Sequence, residues 1–503
     1  MSTTLSTGTA PTKPLRALPG SYGIPFFSPI KDRLQYYYSQ GQDNFFKTRA
    51  DEYKSTVFRT NMPPGPFMAK DPRVVCLLDA LSFQVLFDLS KVEKKDLFTG
   101  TFMPPTSLTG DYRVCAYLDP SEPKHAMNKK LLFSLLADRH KHFLPAFHDT
   151  FSKFFDELDA AVGGEKKEAD FNALNDVSSF DFCCRAYFGV DPASTSLGTA
   201  GPKMVSKWLL FNLHPLMVLG LPKVVEEIFL HTFHLPPFLV KSDYKKIYDF
   251  FYSAAADVLD RAESIGLERE EACHNILFAT CFNSYGGFKA GDILRDVRDG
   301  LFVRDTISAI HIVVFFPDIF KWLALAEKPL HKRLREEIRS VVKAEGGSIT
   351  VAGLEKMELT KSVVYEVLRI EPPVKFQYGK AKKDFVLESH DSSFEIKKGE
   401  MLFGYQPFAT KDPKVFADAE KFVPDRFVGD GAGMLKYVYW SNGRETDSPM
   451  EGNKQCPAKD FVVLMGRLLV AEFFMRYDSF EATLGTILLG ANVTITSLTK
   501  ATN

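Results

Sequence analysis

The chain has 503 residues, well beyond the ~300 at which a single core usually stops growing, so it is several ordinary domains or one large enzyme fold. Apolar residues make up 45% and charged residues 25%, which excludes a disordered or fibrous chain. The 62 basic and 63 acidic side chains give a net charge of −1, so no global field recruits nucleic acid or an anionic bilayer.

The opening MSTTLSTGTAPTKPLR is rich in Ser and Thr, has no acid and shows no clear transit-peptide pattern. Residues 1–17 are therefore expected to be a disordered tail. The turn-rich LPGSYGIPF (18–26) opens the folded part. STVFRT (55–60) and RVVCLLD (73–79) flank the turn NMPPGPF (61–67), which predicts a small antiparallel sheet. From residue 120 to 370 the helical period dominates. Within that region, WLLFNLHPLMVLGLP (208–222) and FLHTFHLPPFLV (229–240) are apolar but broken by Pro and His. They read as buried loops and short helices; the alternative is a surface that dips into a membrane or passes a lipid. No run approaches the ~18 uninterrupted apolar residues of a transmembrane helix.

KPLHKRLREEIRSVVKAEG (328–346) is an amphipathic helix stopped by Gly346 and Gly347. Thr360 is the expected cap of KSVVYEVLRI (361–370), which Pro372 and Pro373 end. DFVLES and SFEIKK alternate about His390–Asp391–Ser392 as a hairpin. KDFVVLMGRLLVAEFFMRY (459–477) is apolar nearly all round and so a buried helix, and ANVTITSL (491–498) alternates as a strand. No Gly/Ser linker divides the chain. The expected fold is one large domain, mainly α with small β-sheets.

Phe is in excess, with 45 against 18 Tyr and 3 Trp, as in a large dry interior or a cavity lined for an apolar ligand. Seven scattered cysteines show no zinc spacing, so free thiols in a reducing compartment are expected. Cys456 differs by context. It follows the loop WSNGRETDSPMEGNKQ (440–455) and precedes the last buried helix, with Pro457 suited to a first helical position. The positive helix end is expected to lower its thiol pKa. Glu366 and Arg369 lie three apart on one helix face, and Arg426 in FVPDRF (422–427) can complete a Glu–Arg–Arg network.

The ordered set E-x-x-R, then P-x-R-F, then a cysteine loop opening a buried helix resembles the cytochrome P-450 superfamily. The resemblance runs from residue 18 to the end. It implies that Cys456 is the axial thiolate ligand of a b-type haem, with Glu366, Arg369 and Arg426 bracing its loop. The usual loop reads F-x-x-G-x-R-x-C-x-G. Here Gly443 stands thirteen positions before Cys456 where that pattern has four, Lys454 takes the place of the Arg, and Ala458 that of the last Gly. This insertion and NKQC are hallmarks of the plant fatty-acid hydroperoxide-metabolising cytochromes P-450: allene oxide synthases, hydroperoxide lyases and divinyl ether synthases. PGSYGIPF, KVEKKDLFTGTFMP, YLDPSEPKH, FNSYGG and FGYQPFATKDPKVF resemble the same subfamily.

The resemblance implies further roles. Lys94, His125, Lys129 and Lys454 match positions that contact the haem or its propionates. Monooxygenases carry an acid–Thr pair over the haem; LFATCFNSYGG (277–287) has Thr280 without an acid, and Asn283 where a peroxide would bind. Lys289 matches a second substrate contact. Phe98 matches the position where allene oxide synthases carry Phe and hydroperoxide lyases carry Leu. Two departures stand out: Asp111 replaces a Gly of LTGGYR, and AGDILRDVRDGLFVRDTISAIHIVV (290–314) is an atypical inserted segment.

The implied activity is dehydration of 13- and/or 9-hydroperoxy linolenic or linoleic acid to an allene oxide, in oxylipin and jasmonate biosynthesis. No NADPH, dioxygen or reductase is expected. The alternatives are a hydroperoxide lyase, which Phe98 argues against, and a catalytically weak haem- and lipid-binding protein. The expected setting is cytoplasmic or plastid, with peripheral contact to a membrane or lipid particle and no nucleic-acid partner.

Overall fold

A computed structural model of the protein describes residues 13–285, 315–487 and 490–502. Lys289 and the segment 290–314 lie outside the described residues.

The longest element is the helix Pro123–Gly163, 41 residues with Pro145 inside it. It packs along Phe171–Phe188, and Phe147, Phe151, Phe154 and Phe155 are buried between them. Phe147 stacks on Phe151 at 4.1 Å between ring centroids and meets Phe182 edge-on at 5.3 Å. The Phe excess is thus first a packing device, because stacked and edge-to-face rings fill an interior without needing hydrogen bonds. The final helix Lys459–Arg476 is buried on most sides, as its unbroken apolar run predicts. All seven cysteines are free.

The sheets among the described residues are small. Val57–Asn61 and Arg73–Leu77 pair antiparallel as expected, and extend through Met401–Tyr405 and Phe376–Ala381 to Val92–Glu93 in five strands. The C-terminal strand Gly490–Lys500 pairs with Tyr477–Ile487 and, at its inner edge, with Ala169–Asp170. The hairpin Phe385–Glu388 with Ser393–Ile396 forms as expected.

Three local expectations are corrected. The tail does not run to residue 17: Leu15 and Arg16 pair in parallel with Ser393 and Phe394, because the hairpin edge offers free backbone groups and the Pro14 carbonyl accepts from Ser393 N at 2.9 Å. Thr360 is not a cap. Its helix begins at Glu358, and Glu337 of the neighbouring helix accepts from Leu359 N, Thr360 N and Thr360 Oγ1 at 2.7, 2.9 and 2.7 Å. A carboxylate from a packed helix thus satisfies donors usually served by a local hydroxyl. Pro457 is likewise outside the last helix, which starts at Lys459. Asp111 adopts φ 65°, a left-handed conformation that Asp tolerates better than most side chains.

Residues 208–222 fold largely as expected, with the end of the helix Gly201–Leu213 and the short turn His214–Leu216 mostly buried. The second apolar stretch divides. Leu230 and His231 are buried, whereas Phe229, Phe233, Phe238 and Leu239 are exposed.

Candidate active site

A cavity of about 310 Å³ lies against the start of the final helix, and Cys456 is in its wall. Of the residues singled out in the sequence, it gathers Lys94, Phe98, His125, Lys129, Asn283, Lys454 and Cys456. They come from four separate stretches of chain. His125 and Lys129, four apart on the first turns of the long helix, share one face. Lys94 follows the strand Val92–Glu93, where its backbone N–H donates to Asp119 Oδ2 at 2.6 Å.

The lysines are buried together. Burial, and then Lys454 beside it, pushes the Lys94 ammonium down to about 7; burial pushes Lys129 and Lys454 down to about 8. His125 falls to about 4, again mainly by burial, and is neutral. Each ammonium is held by backbone carbonyls: Lys94 by Tyr378, Lys129 by Asn453 and Gln455 at 2.7 and 2.8 Å, and Lys454 by Cys115, Ala116 and Leu118. A desolvated positive cluster of this kind calls for anions.

Cys456 sits where the loop turns into the final helix, its N–H donating to Ser441 O at 3.2 Å. The expected drop in its thiol pKa is not found. Ala458 N–H, Lys129 and Lys459 favour the thiolate, but burial outweighs them and raises the thiol above its ordinary value. The protein positions the sulfur; a metal ion bound to it would favour the thiolate form.

The loop is fixed by groups that sequence reasoning missed. Gln377 donates to Trp440 O at 2.8 Å and accepts from Asn442 N at 3.0 Å, while Gln406 donates to Tyr439 O at 2.6 Å. Glu445, inside the nine-residue insertion, accepts from Tyr365 Oη at 2.8 Å, Trp440 Nε1 and Lys459 Nζ. Nothing in a lone Gln or Glu signals such a role. Gly443 does carry a signal: a Cβ there would come within 2.6 Å of the Gln455 side chain, which would have to shift from its bond to Arg444 O.

Outside the cavity, Glu366 and Arg369 are fully buried. Arg369 Nε and Nη2 donate to the two Glu366 oxygens at 2.7 and 2.8 Å. Arg426 Nε bridges both oxygens at 3.0 Å, and Val423 N adds 2.9 Å. Arg369 also donates to Thr410 O, Ala419 O and Lys421 O. The triad thus clamps residues 410–427 to the helix Glu358–Ile370.

Part of the cavity wall is aromatic. Ala279–Tyr285 is a π-helical stretch, a widened turn frequent at functional sites. It presents Phe282 and Asn283 to the cavity, while Thr280 is buried and does not line it. Phe98 meets Phe282 and Phe278 edge-on at 5.0 and 5.4 Å, and those two rings stack on each other at 4.7 Å. Phe98 and Asn283 thus line the same cavity.

A cysteine at a helix start, a buried Glu–Arg–Arg clamp and a largely apolar cavity with lysines in its wall define a haem-thiolate protein of the cytochrome P-450 class. The cytochrome P-450 family model matches residues 320–441. Far longer similarity comes from individual proteins. The chain is 57% identical to "Allene oxide synthase 2" of Oryza sativa subsp. japonica, covering 97% of both chains. It is 56% identical to "Allene oxide synthase 1, chloroplastic" of Solanum lycopersicum, covering 97% of this chain and 87% of that one. With "Allene oxide synthase, chloroplastic" of Arabidopsis thaliana it shares 53%, over 97% and 90%. The chain belongs to the allene oxide synthase family of cytochromes P-450.

The cofactor of that class, a haem held by a cysteine thiolate, fits these residues. Cys456 lines the same cavity as the ammonium groups of Lys94, Lys129 and Lys454, and the buried His125 Nδ1 has no hydrogen-bond partner among the described residues.

Proposed function

We propose that the protein is a haem-thiolate hydro-lyase that dehydrates 13- and/or 9-hydroperoxides of linolenic and linoleic acid to allene oxides, at the entrance to jasmonate-type oxylipin synthesis. One observation carries the reading: Asn283 and Phe98 share the cavity with Cys456, and Thr280 is kept out of it. Cys456 would hold the iron, and Lys94, His125, Lys129 and Lys454 would face the haem propionates. Glu366, Arg369 and Arg426 would hold the surrounding frame. Bound haem supplies cleavage of the O–O bond and the one-electron exchanges that follow.

The chain's own part is positional. The Asn283 amide can hydrogen-bond the peroxide, but it cannot relay protons as a carboxylic acid does. That suits a substrate whose oxygen is already reduced. The outer peroxide oxygen leaves as water with the hydroperoxide proton and one proton from the carbon chain; the inner oxygen stays as the epoxide. Two-electron reduction of the O–O bond is balanced by two-electron oxidation of the carbon chain, so no dioxygen, NADPH or reductase enters. Phe98 sets its ring against the reacting carbons and favours proton loss over chain cleavage. Lys289 is retained as a second substrate contact.

The test uses haem-loaded protein with 13- and 9-hydroperoxides under anaerobic conditions without NADPH. Full-rate loss of conjugated-diene absorbance is expected; strict dependence on a reductase would return the protein to the monooxygenases. Asn283→Ala should slow substrate consumption about a hundredfold, as losing one hydrogen bond to developing charge costs ~3 kcal/mol. Phe98→Leu should leave consumption within a few-fold and shift products toward short-chain aldehyde. A slower Phe98→Leu enzyme with an unchanged product ratio would make Phe98 a packing residue.

The surface supports peripheral lipid contact. Phe26, Phe27, Phe67, Phe229, Phe233 and Phe238 are all exposed, and an Arg33–Glu227 ion pair ties the first segment to the helix Lys223–Phe229. Exposed aromatics of this density mark a site that meets another phase. No helix among the described residues is long and apolar enough to cross a membrane. Flotation with galactolipid vesicles should retain the protein, and Phe233→Ser with Phe238→Ser should release most of it; equal flotation of both proteins would remove the proposal. The plastid is the compartment we favour, a reading supported by relatives named chloroplastic.

A further inference from the structure

Lys375 lies apart from the cations around Cys456. It follows the Pro372–Pro373 stop and precedes the strand Phe376–Ala381, in the wall of the same cavity beside Pro373, Val374 and Phe376. Its backbone is fixed, the carbonyl accepting from Gln406 N at 2.8 Å. Its ammonium has no hydrogen bond or ion pair among the described residues, unlike Lys94, Lys129 and Lys454, which are all engaged by carbonyls.

Four charged groups act on it: Glu371, Asp318, Asp43 and Lys321. Glu371 is committed to Lys321, whose Nζ lies 2.5 Å from Oε1. Burial, reinforced by the Glu371 charge, raises the Asp318 carboxyl above its ordinary value. Burial brings the Lys375 ammonium down to about 8, still mostly charged at pH 7. Glu371 is thus taken by Lys321 and Asp43 accepts from Tyr405 Oη, so no carboxylate among the described residues makes an ion pair with the Lys375 ammonium in the cavity wall. An ammonium in such a place is stabilised by an anion that arrives with an apolar body.

Resting on the proposed function, we infer that Lys375 receives the carboxylate of the fatty-acid substrate, so that the acid end is anchored at the Phe376 strand and the chain is set in register along the cavity. Lys375 is then a positioning residue. It makes the free acid the preferred ligand over an ester or alcohol of the same chain.

The experiment measures binding of a stable hydroxy-octadecadienoic acid and of its methyl ester to the haem-loaded protein by calorimetry. Wild type should bind the acid at least tenfold tighter than the ester. Lys375→Met should lose at least tenfold on the acid and stay within twofold on the ester, and Lys375→Arg should restore most of the preference. Acid affinity should fall as pH rises through about 8, because loss of the Lys375 proton removes positive charge. A wild type that does not discriminate, or a Lys375→Met protein that weakens acid and ester equally, overturns the inference. Because the probe does not react, a preserved acid preference without dehydration activity would overturn the proposed function and leave Lys375 in place.

Discussion

Cys456→Ser protein is expected to fold and to lose both its activity and the thiolate-type carbon monoxide difference band of the reduced haem form. Beyond the thiol, Cys456 contributes backbone bonds that serine keeps, the N–H to Ser441 O and the carbonyl to Lys459 N. Burying a hydroxyl in place of the thiol costs ~1–3 kcal/mol if it finds no partner, which a folded chain of this size survives. Ligation does not survive, because a neutral hydroxyl is a poor donor to ferric iron. Circular dichroism separates the two effects: a native spectrum with no band supports the assignment, and full activity would sink it.

Arg369→Met is expected to be the most damaging change to stability. The guanidinium makes five hydrogen bonds, two to Glu366 and one each to the carbonyls of Thr410, Ala419 and Lys421. Its removal leaves a fully buried carboxylate with Arg426 as its remaining cation and three carbonyls without this donor. Breaking one side of a buried pair costs ~3–5 kcal/mol, a large share of the margin of most folded chains. Soluble yield and haem content per chain should fall together. An Arg369→Met protein whose denaturation midpoint corresponds to a loss below ~1 kcal/mol would show that residues 410–427 hold without the clamp.

Much of this protein is legible in its sequence because much of it is local. Glu366 and Arg369 meet because three residues make nearly one helical turn. The amphipathic helix Lys328–Ala344, stopped just before Gly346 and Gly347, the hairpin about His390 and the buried final helix follow from period and turn chemistry alone. The cysteine loop is also legible, since Gly443, the insertion and NKQC stand in one continuous stretch.

What the sequence could not decide depends on distance in the chain or on depth. The cap of the helix Glu358–Ile370 comes from Glu337, a residue of another helix, so a local rule chose Thr360 instead. The pairing of Leu15 and Arg16 rests on a hairpin edge near residue 393. For Cys456, sequence position supplied the helix end and the nearby cations, but the sign of the pKa shift was set by desolvation, which only the packed structure determines. Lys375 follows the same logic. By composition it is one lysine among many; its meaning comes from Glu371 being taken by Lys321 and from the cavity in front of it, and both exist only once the chain has folded.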